Sequence, residues 1–208
     1  ILADVQDNSG AGATSDSTGI LADMINANIK GGVVAAICDA PLMAKVTALG
    51  GGQSLNASIG NHYGVNDVNV EADWLIEKVT DGCFTCTGDM YAGAQANVGG
   101  LACLRLLAED TDIRIVISQD RFQCVDRSVF DHLDISLESC RILVLTSTVH
   151  FRADFAGIAR KMLQVVSPGT HPCRLSNLAH QNLRKGARLV PCGPAFTKYV
   201  SLIRERPA

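Results

Sequence analysis

No run of apolar residues in this chain approaches the roughly 20 that a helix needs to cross a bilayer. The strongest, residues 142–145, reads as one buried strand. No signal-peptide pattern of basic start, apolar centre and small-residue cleavage site appears within these residues either. Nor is positive charge in excess. Lys and Arg number 18 against 21 Asp and Glu, a formal net charge of −3, so nothing electrostatic draws the chain to DNA, RNA or an anionic membrane. Charged residues at 19% are too few for a disordered chain, and apolar ones at 47% suffice for a substantial core. No repeat of fixed period is present. The 208 residues amount to one ordinary domain, or one large part of something bigger. An initiator Met is also lacking, and the chain opens on strand-like residues, Ile1-Leu2-Ala3-Asp4-Val5. We expect a fragment cut from a longer protein.

Metal-ligand spacing is scarce. His62, His132, His171 and His180 have no partner at ligand spacing and are expected at the surface or in packing. The eight cysteines are even in number, but a chain of this size needs no disulfide staples. Positions 38, 103, 124, 140 and 192 lie in or beside apolar stretches, where a free Cys behaves as a small hydrophobe. Reduced thiols in a cytoplasmic protein are the expected state. Cys83-Phe84-Thr85-Cys86 has metal spacing, yet a structural zinc would want a second close pair or a His pair. No metal site is expected within these residues.

What is present is an alternation of elements. Residues 1–5 read as a strand, and Ile20, Leu21, Met24, Ile25 and Ile29 recur at helical spacing, with Gly31-Gly32 as the expected helix stop. Residues 33–38 read as a buried strand, and Asp39-Ala40-Pro41 opens a second helix that runs to about Leu49 and halts at Gly50-Gly51-Gly52. The middle changes character. Residues 55–59, 68–80, 83–88, 101–107 and 113–118 read as strands, with Gly60-Asn61 and Asp81-Gly82 as turns and no helix long enough for a crossover. Residues 127–133 then form a short helix, 141–147 a buried strand, 152–163 an amphipathic helix and 165–166 a short strand. The expected fold is therefore α/β, a mixed sheet with parallel βα units at both ends of the chain and an antiparallel middle section. We expect one domain over residues 1–185 and an irregular tail over 186–208, where Pro191, Gly193 and Pro194 break the pattern.

Two stretches carry polar chemistry. In residues 4–18 a strand leads through a glycine-bearing loop to a helix start, and Asp4, Asp7 and Asp16 sit in or beside that loop. A loop built only for phosphate would not surround it with negative charge, so a site that positions a cationic group or faces a second polypeptide fits better. The other stretch is Ser147-Thr148-Val149-His150-Phe151-Arg152, again between a strand end and a helix start. Ligands of open α/β sheets bind at carboxyl strand ends. If the two strands are parallel neighbours, Asp7, Asn8, Asp16, His150 and Arg152 face one crevice. There His150 would act as donor or general acid and Arg152 would clamp a carboxylate. Ordinary readings stand beside these: an Asx turn at Asp7-Asn8, an N-cap at Asp16 or Ser17, a capped His150, and an Arg152–Asp154 pair. Gly10-Ala11-Gly12-Ala13-Thr14-Ser15 also resembles a dinucleotide loop, with Asp39 where a ribose-binding acid would lie, although its third glycine is Ser15 and no phosphate-loop Lys follows. Phe84, Met90-Tyr91 and Gln123 lie near turns as candidate pocket residues.

Together these stretches resemble the C-terminal domain of the microcystinase (MlrC) family of bacterial zinc metallopeptidases. That family's Asp-Asn-Pro-Gly-Gly-Gly-Ala loop stands here as Asp7-Asn8-Ser9-Gly10-Ala11-Gly12-Ala13, followed by Ser15-Asp16-Ser17-Thr18. Its Ser-Thr/Ser-Val-His-Phe-Arg-Ala motif is complete as Ser147-Thr148-Val149-His150-Phe151-Arg152-Ala153. Asp81-Gly82-Cys83-Phe84 and Gly88-Asp89-Met90-Tyr91 match its middle segment, while Ser9, Ala11 and Thr146 depart from the usual Pro, Gly and Lys. The resemblance covers residues 1–185. It implies a zinc-dependent metallopeptidase or amidohydrolase acting on small or linearised peptides, with the zinc bound by an N-terminal domain absent from this sequence. It also implies that the present domain packs on that partner and completes the cleft. By the resemblance, Asp7 and Asp16 are the catalytic acids. Asn8, Gly10, Gly12, His150, Phe151 and Arg152 form the substrate-binding wall. No nucleic acid or membrane partner is implied, and homo-oligomerisation is left open. The rival readings are a nucleotide- or phosphoanion-binding module built on the Gly10/Gly12 loop and a structural or dimerisation domain.

Overall fold

A computed structural model describes residues 1–64 and 68–197. The chain divides into two compact units, Ile1–His171 and Pro172–Ala208. In chain order the first contains β1 (Leu2–Asp4), α1 (Gly19–Asn26), β2 (Lys30–Cys38), α2 (Ala40–Leu49), β3 (Ser54–Ile59), β4 (Val70–Thr80), β5 (Cys83–Thr85), β6 (Gln95–Asn97), β7 (Leu101–Leu106), β8 (Asp112–Ser118), α3 (Ser128–His132), β9 (Ile142–Leu145), α4 (Arg152–Phe155) and β10 (Leu163–Val165). The second unit is mostly irregular, with a 3-10 turn at Leu175–Asn177 and Phe196 N–H donating to the Ala187 carbonyl.

Eight strands form one sheet in the order β10-β1-β9-β2-β8-β7-β4-β3. From β10 to β8 every pairing is parallel, and from β8 to β3 every pairing is antiparallel. The expected mixed sheet is the one observed. Its parallel half interleaves strands from both ends of the chain, while β5 and β6 form a separate hairpin.

The period of two along the strands builds two cores. Val33, Ala35, Leu143, Leu145, Leu101, Cys103 and Val116 point to one face, where they meet Phe84, Phe130, Phe151 and Phe155. Val34, Ile37, Val144, Leu104, Ile113, Ile115 and Ile117 point to the other, where α1, α2 and Trp74 cover them. Both faces are apolar, as a parallel sheet flanked on both sides requires.

Two expected elements are corrected. The helix over residues 152–163 is only α4, because Gly157 interrupts it and Leu163 instead donates to the Ile1 carbonyl and extends the sheet as β10. Of its expected apolar face, Phe155 is buried and Ile158 is exposed. Gly31-Gly32 does not stop α1. That helix ends at Asn26 with Ala27 as its C-cap, and Asn28 makes the turn in the left-handed region. The two glycines lie within β2, and a Cβ on Gly32 would come 2.4 Å from Cε of Met24. Close approach of helix to strand selects Gly32.

Candidate functional site

Strands β1, β9, β2 and β8 run the same way, so the segments that follow them leave from one edge. Hydrogen bonds lock those segments together. Asn8 Nδ2 donates to Thr148 Oγ1 at 2.7 Å, and the Cys38 amide donates to the Ser15 carbonyl at 2.7 Å. Arg121 Nη1 reaches the Ala13 carbonyl at 3.3 Å. Gln123 Nε2 donates to Ser147 Oγ at 2.9 Å, and its Oε1 lies 3.3 Å from His150 Nδ1. The Asp7-Asn8 loop and the His150 turn share one edge and touch.

The acids of the first loop are inside it rather than on it. Asp7 is fully buried, and its carboxylate accepts from the Ser15 and Ser17 amides, both at 2.8 Å, and from Thr14 Oγ1 at 3.3 Å. Burial pushes its carboxyl above the usual range, and the neighbouring Asp4 carboxylate adds to that, while the Ser17 and Ser15 amides oppose it. Asp4 is likewise buried and raised by burial. It accepts from the Gln6 amide at 3.2 Å and from the Ser167 hydroxyl. Asp16 is 1% exposed. Its carbonyl takes the Asn61 amide at 2.6 Å, its Oδ2 takes the Tyr63 amide at 3.4 Å, and its Oδ1 has no partner among the described residues. Thr18, not Asp16 or Ser17, occupies the N-cap of α1, without a side-chain cap.

Asn8 does form the Asx turn, accepting from the Gly10 amide at 2.9 Å. The amides of Ala11 and Ala13 go to the Asn8 carbonyl, that of Gly12 to Ser9, and that of Thr14 to Thr170 Oγ1. With the Ser15 and Ser17 amides on Asp7, this loop turns its donors inward, whereas a phosphate cradle must present them outward. The dinucleotide resemblance is therefore one of letters. Gly12 sits at φ 93, and a Cβ on Gly10 would fall 2.3 Å from Gln123 Oε1.

His150 and Arg152 are exposed while Phe151 is wholly buried in the core, so the turn alternates polar head and apolar anchor. Arg152 does not pair with Asp154. Its guanidinium lies 5.4 Å from the Phe151 ring centroid and near Met162 Sδ, and Asp154 instead takes Arg127. Thr146, at the position where the family often has Lys, is buried with its hydroxyl toward the Ala36 carbonyl.

Of this edge, sequence reading held Gln123 only as a candidate pocket residue and missed Arg121. Both follow β8, which reads as an antiparallel strand and gives no hint that its end adjoins β2. It also missed the pairing of Asp39 with His62, 2.9 Å apart, with Asp39 buried and His62 partly exposed. Asp39 also accepts the Leu42 and Gly60 amides at 2.9 Å each, so it caps α2 and holds the next turn instead of awaiting a ribose. Only the turn signal Gly60-Asn61 beside His62 hinted at it.

The edge itself is an open shelf. A cavity of about 600 Å³ lies at the opposite, amino ends of β2 and β8, around Gly31, Arg114 and Asp112, and another of about 960 Å³ lies beside Arg127, Arg141 and Arg160. Volume alone favours those two, but the linked side chains that could meet a ligand gather at the carboxyl edge. Among the described residues no group of three or more His, Cys, Asp or Glu is placed to hold a metal ion. Likewise no helix among them is long and apolar enough to cross a membrane.

This is an α/β domain whose carboxyl strand edge is a pinned, polar shelf. The family model described as "MlrC C-terminus" matches residues 2–182, and the chain belongs to that family. Among solved structures it resembles the crystal structure of a proposed metallopeptidase from Mesorhizobium sp. BNC1, at 20% identity and a TM-score of 0.70. That likeness covers 82% of this chain and 33% of that one, so the chain spans about a third of the metallopeptidase's length. No curated protein matches by sequence.

Proposed function

We propose that this domain forms one wall of the active-site cleft of an MlrC-like zinc-dependent metallopeptidase or amidohydrolase that cleaves small or linearised peptides. In this reading the zinc belongs to an N-terminal domain outside this sequence, as the family resemblance implies. The observation that carries this reading is the convergence of Asn8, Thr148, Ser147, Gln123 and His150 on one open edge. Family membership and the metallopeptidase-like fold support it. An open edge of linked polar groups is what one half of a two-domain cleft requires.

Within that cleft His150 and Arg152 present hydrogen-bond donors to the peptide, and Asn8 with Gly10 and Gly12 shapes the facing loop. Phe151 holds the turn from below. The burial of Asp7 and Asp16 favours a supporting role for both, one clasping its own loop and the other backing the turn at residues 60–63.

The test is steady-state hydrolysis of a linear peptide panel by the zinc-loaded full-length protein. His150→Ala and Arg152→Ala should lower kcat/KM at least about tenfold, more than 1.4 kcal/mol of transition-state stabilisation, with the unfolding midpoint unchanged. Failure to cleave any peptide, or activity indifferent to both substitutions, overturns the reading.

A further inference from the structure

Beside Gln123 lies a smaller cavity of about 280 Å³ that the shared edge does not explain. Its walls are Phe84, Val98, Phe122 and Val129, with Tyr91 and Ala94 at the rim. Topology places it at the same edge as the candidate site. The Gln119 amide donates to the Gly100 carbonyl and the Asp120 amide to that of Val98, so the end of β8 is tied to the segment between β6 and β7. Gln123 is the shared wall: it lines the cavity and contacts both Ser147 and His150.

The cavity is built rather than incidental. Asp126 borders it, 4% exposed, and its carboxylate takes the Gly88 amide at 2.8 Å and the Ser128 amide at 2.9 Å. This ties the turn of the β5–β6 hairpin to the start of α3. Those bonds engage both carboxylate oxygens, so Asp126 is not left to receive a cation. Tyr91 stays 44% exposed, an aromatic ring at the mouth of an apolar hollow. Whole-ligand pockets run from about 300 Å³ upward, so this one has room for a single large side chain and not for a peptide.

We propose that this cavity is a specificity subsite that receives one uncharged, bulky apolar side chain, aromatic or long aliphatic, of the peptide lying along the shelf. It rests on the cleft reading above for the identity of its occupant. An anionic side chain is repelled by the buried Asp126 carboxylate at the wall, and a cationic one would be desolvated in an apolar hollow against a carboxylate whose two oxygens already accept amide hydrogen bonds. Small side chains leave it unfilled and gain little from burial.

The test uses the full-length protein and two probes, N-acetylphenylalaninamide and N-acetylglycinamide, followed by backbone amide shifts. The phenylalanine probe should bind at least tenfold tighter and shift the signals of Tyr91, Phe122 and Gln123. Ala94→Trp fills the cavity, and Tyr91→Ala removes its rim. Both residues use only backbone groups in the hairpin turn, where the Ala94 amide donates to the Tyr91 carbonyl. Each variant should weaken the phenylalanine probe at least fivefold and leave the glycine probe unchanged. In hydrolysis, peptides differing only as Phe or Gly at one position should differ at least tenfold in kcat/KM, and Ala94→Trp should erase that difference. Equal binding of the two probes, or a preference untouched by both variants, overturns the subsite. Selective probe binding without hydrolysis of any peptide sustains the subsite and removes the peptidase reading. Concentration-dependent self-association that disappears in Ala94→Trp, with no probe binding, assigns the cavity to a second copy and overturns the proposal.

Discussion

Asn8 and Thr148, 140 residues apart in sequence, are joined by a 2.7 Å hydrogen bond from an amide to a hydroxyl. Asn8 is buried and its side-chain oxygen is already committed to the Gly10 amide, so the bond to Thr148 fixes its remaining polar end. One side chain thus sets both the shape of the first loop and its distance from the second.

Thr148→Val keeps the volume and removes the acceptor. The Asn8 amide then loses a buried partner, and stability should fall by about 1–3 kcal/mol. In the full-length protein kcat/KM should fall further than this loss explains, because the loop carrying Gly10 is released from the His150 turn. Chemical denaturation together with steady-state kinetics separates the two effects. An unchanged unfolding midpoint would mean that the bond contributes nothing.

Gly10 and Gly12 should respond differently to alanine. At Gly12 a Cβ meets nothing within 4 Å, but φ is 93, so Gly12→Ala should cost about 1–2 kcal/mol through backbone strain alone. At Gly10 the new Cβ collides with the far end of Gln123, which can swing aside. Gly10→Ala should then cost less stability but cut Gln123 from Ser147 and His150, seen as chemical-shift changes at His150 that Gly12→Ala does not produce.

The sheet was largely legible because its strands carry strong local signals. Ile142–Leu145 is apolar on both faces and Asp112–Ser118 is apolar at Ile113 and from Ile115 to Ile117, and the shift from helical to alternating period near residue 50 marks the change from parallel to antiparallel. The shared edge was legible too, since both glycine- or histidine-bearing loops follow strands. What failed depended on partners distant in sequence. The apolar period at 155–163 suits a helix until Leu163 finds β1, and Gly31-Gly32 looks like a helix stop until Met24 is seen lying over it. Asp39, legible as the start of α2, shows its hold on the next turn only when Gly60 and His62 arrive beside it. That Asp7 and Asp16 are buried, not displayed, is likewise a tertiary fact that no spacing encodes.

Thiol reactivity should follow burial. Cys103 and Cys124 are 1% and 0% exposed, and burial pushes both thiols well above their usual range, with the carboxylate of Glu77 adding to Cys103 and that of Asp126 to Cys124. Cys83, Cys173 and Cys192 are exposed. Iodoacetamide at pH 8 should label these three first, and Cys103 and Cys124 only after denaturant is added. Mass spectrometry of timed samples reads the order, and early labelling of Cys124 would contradict the packing described.

The buried pair Asp4 and Asp7 should leave a signature in the pH dependence of stability. Burial raises the carboxyl of Asp4 above its unfolded value of 3.8, and its hydrogen bonds from Ser167, Gln6 and Ser17 only partly oppose this. For an acid so raised the folded state favours the protonated form. Its stabilising contribution is therefore complete below the unfolded value and is lost as pH rises through the folded one. Asp4→Asn keeps an acceptor for the Gln6 amide and offers an NH2 that the Ser17 and Ser167 hydroxyls can accept, while removing the charge. The variant should thus gain on the wild type as pH climbs from 4 to 7, with the gap closing toward acid. It should also lower the carboxyl of Asp7, which the Asp4 charge helps to raise. Urea unfolding at half-unit pH steps measures the gap. A gap that widens toward acid would mean that Asp4 is stabilised in its charged form, and that the first loop is held by a carboxylate its surroundings favour.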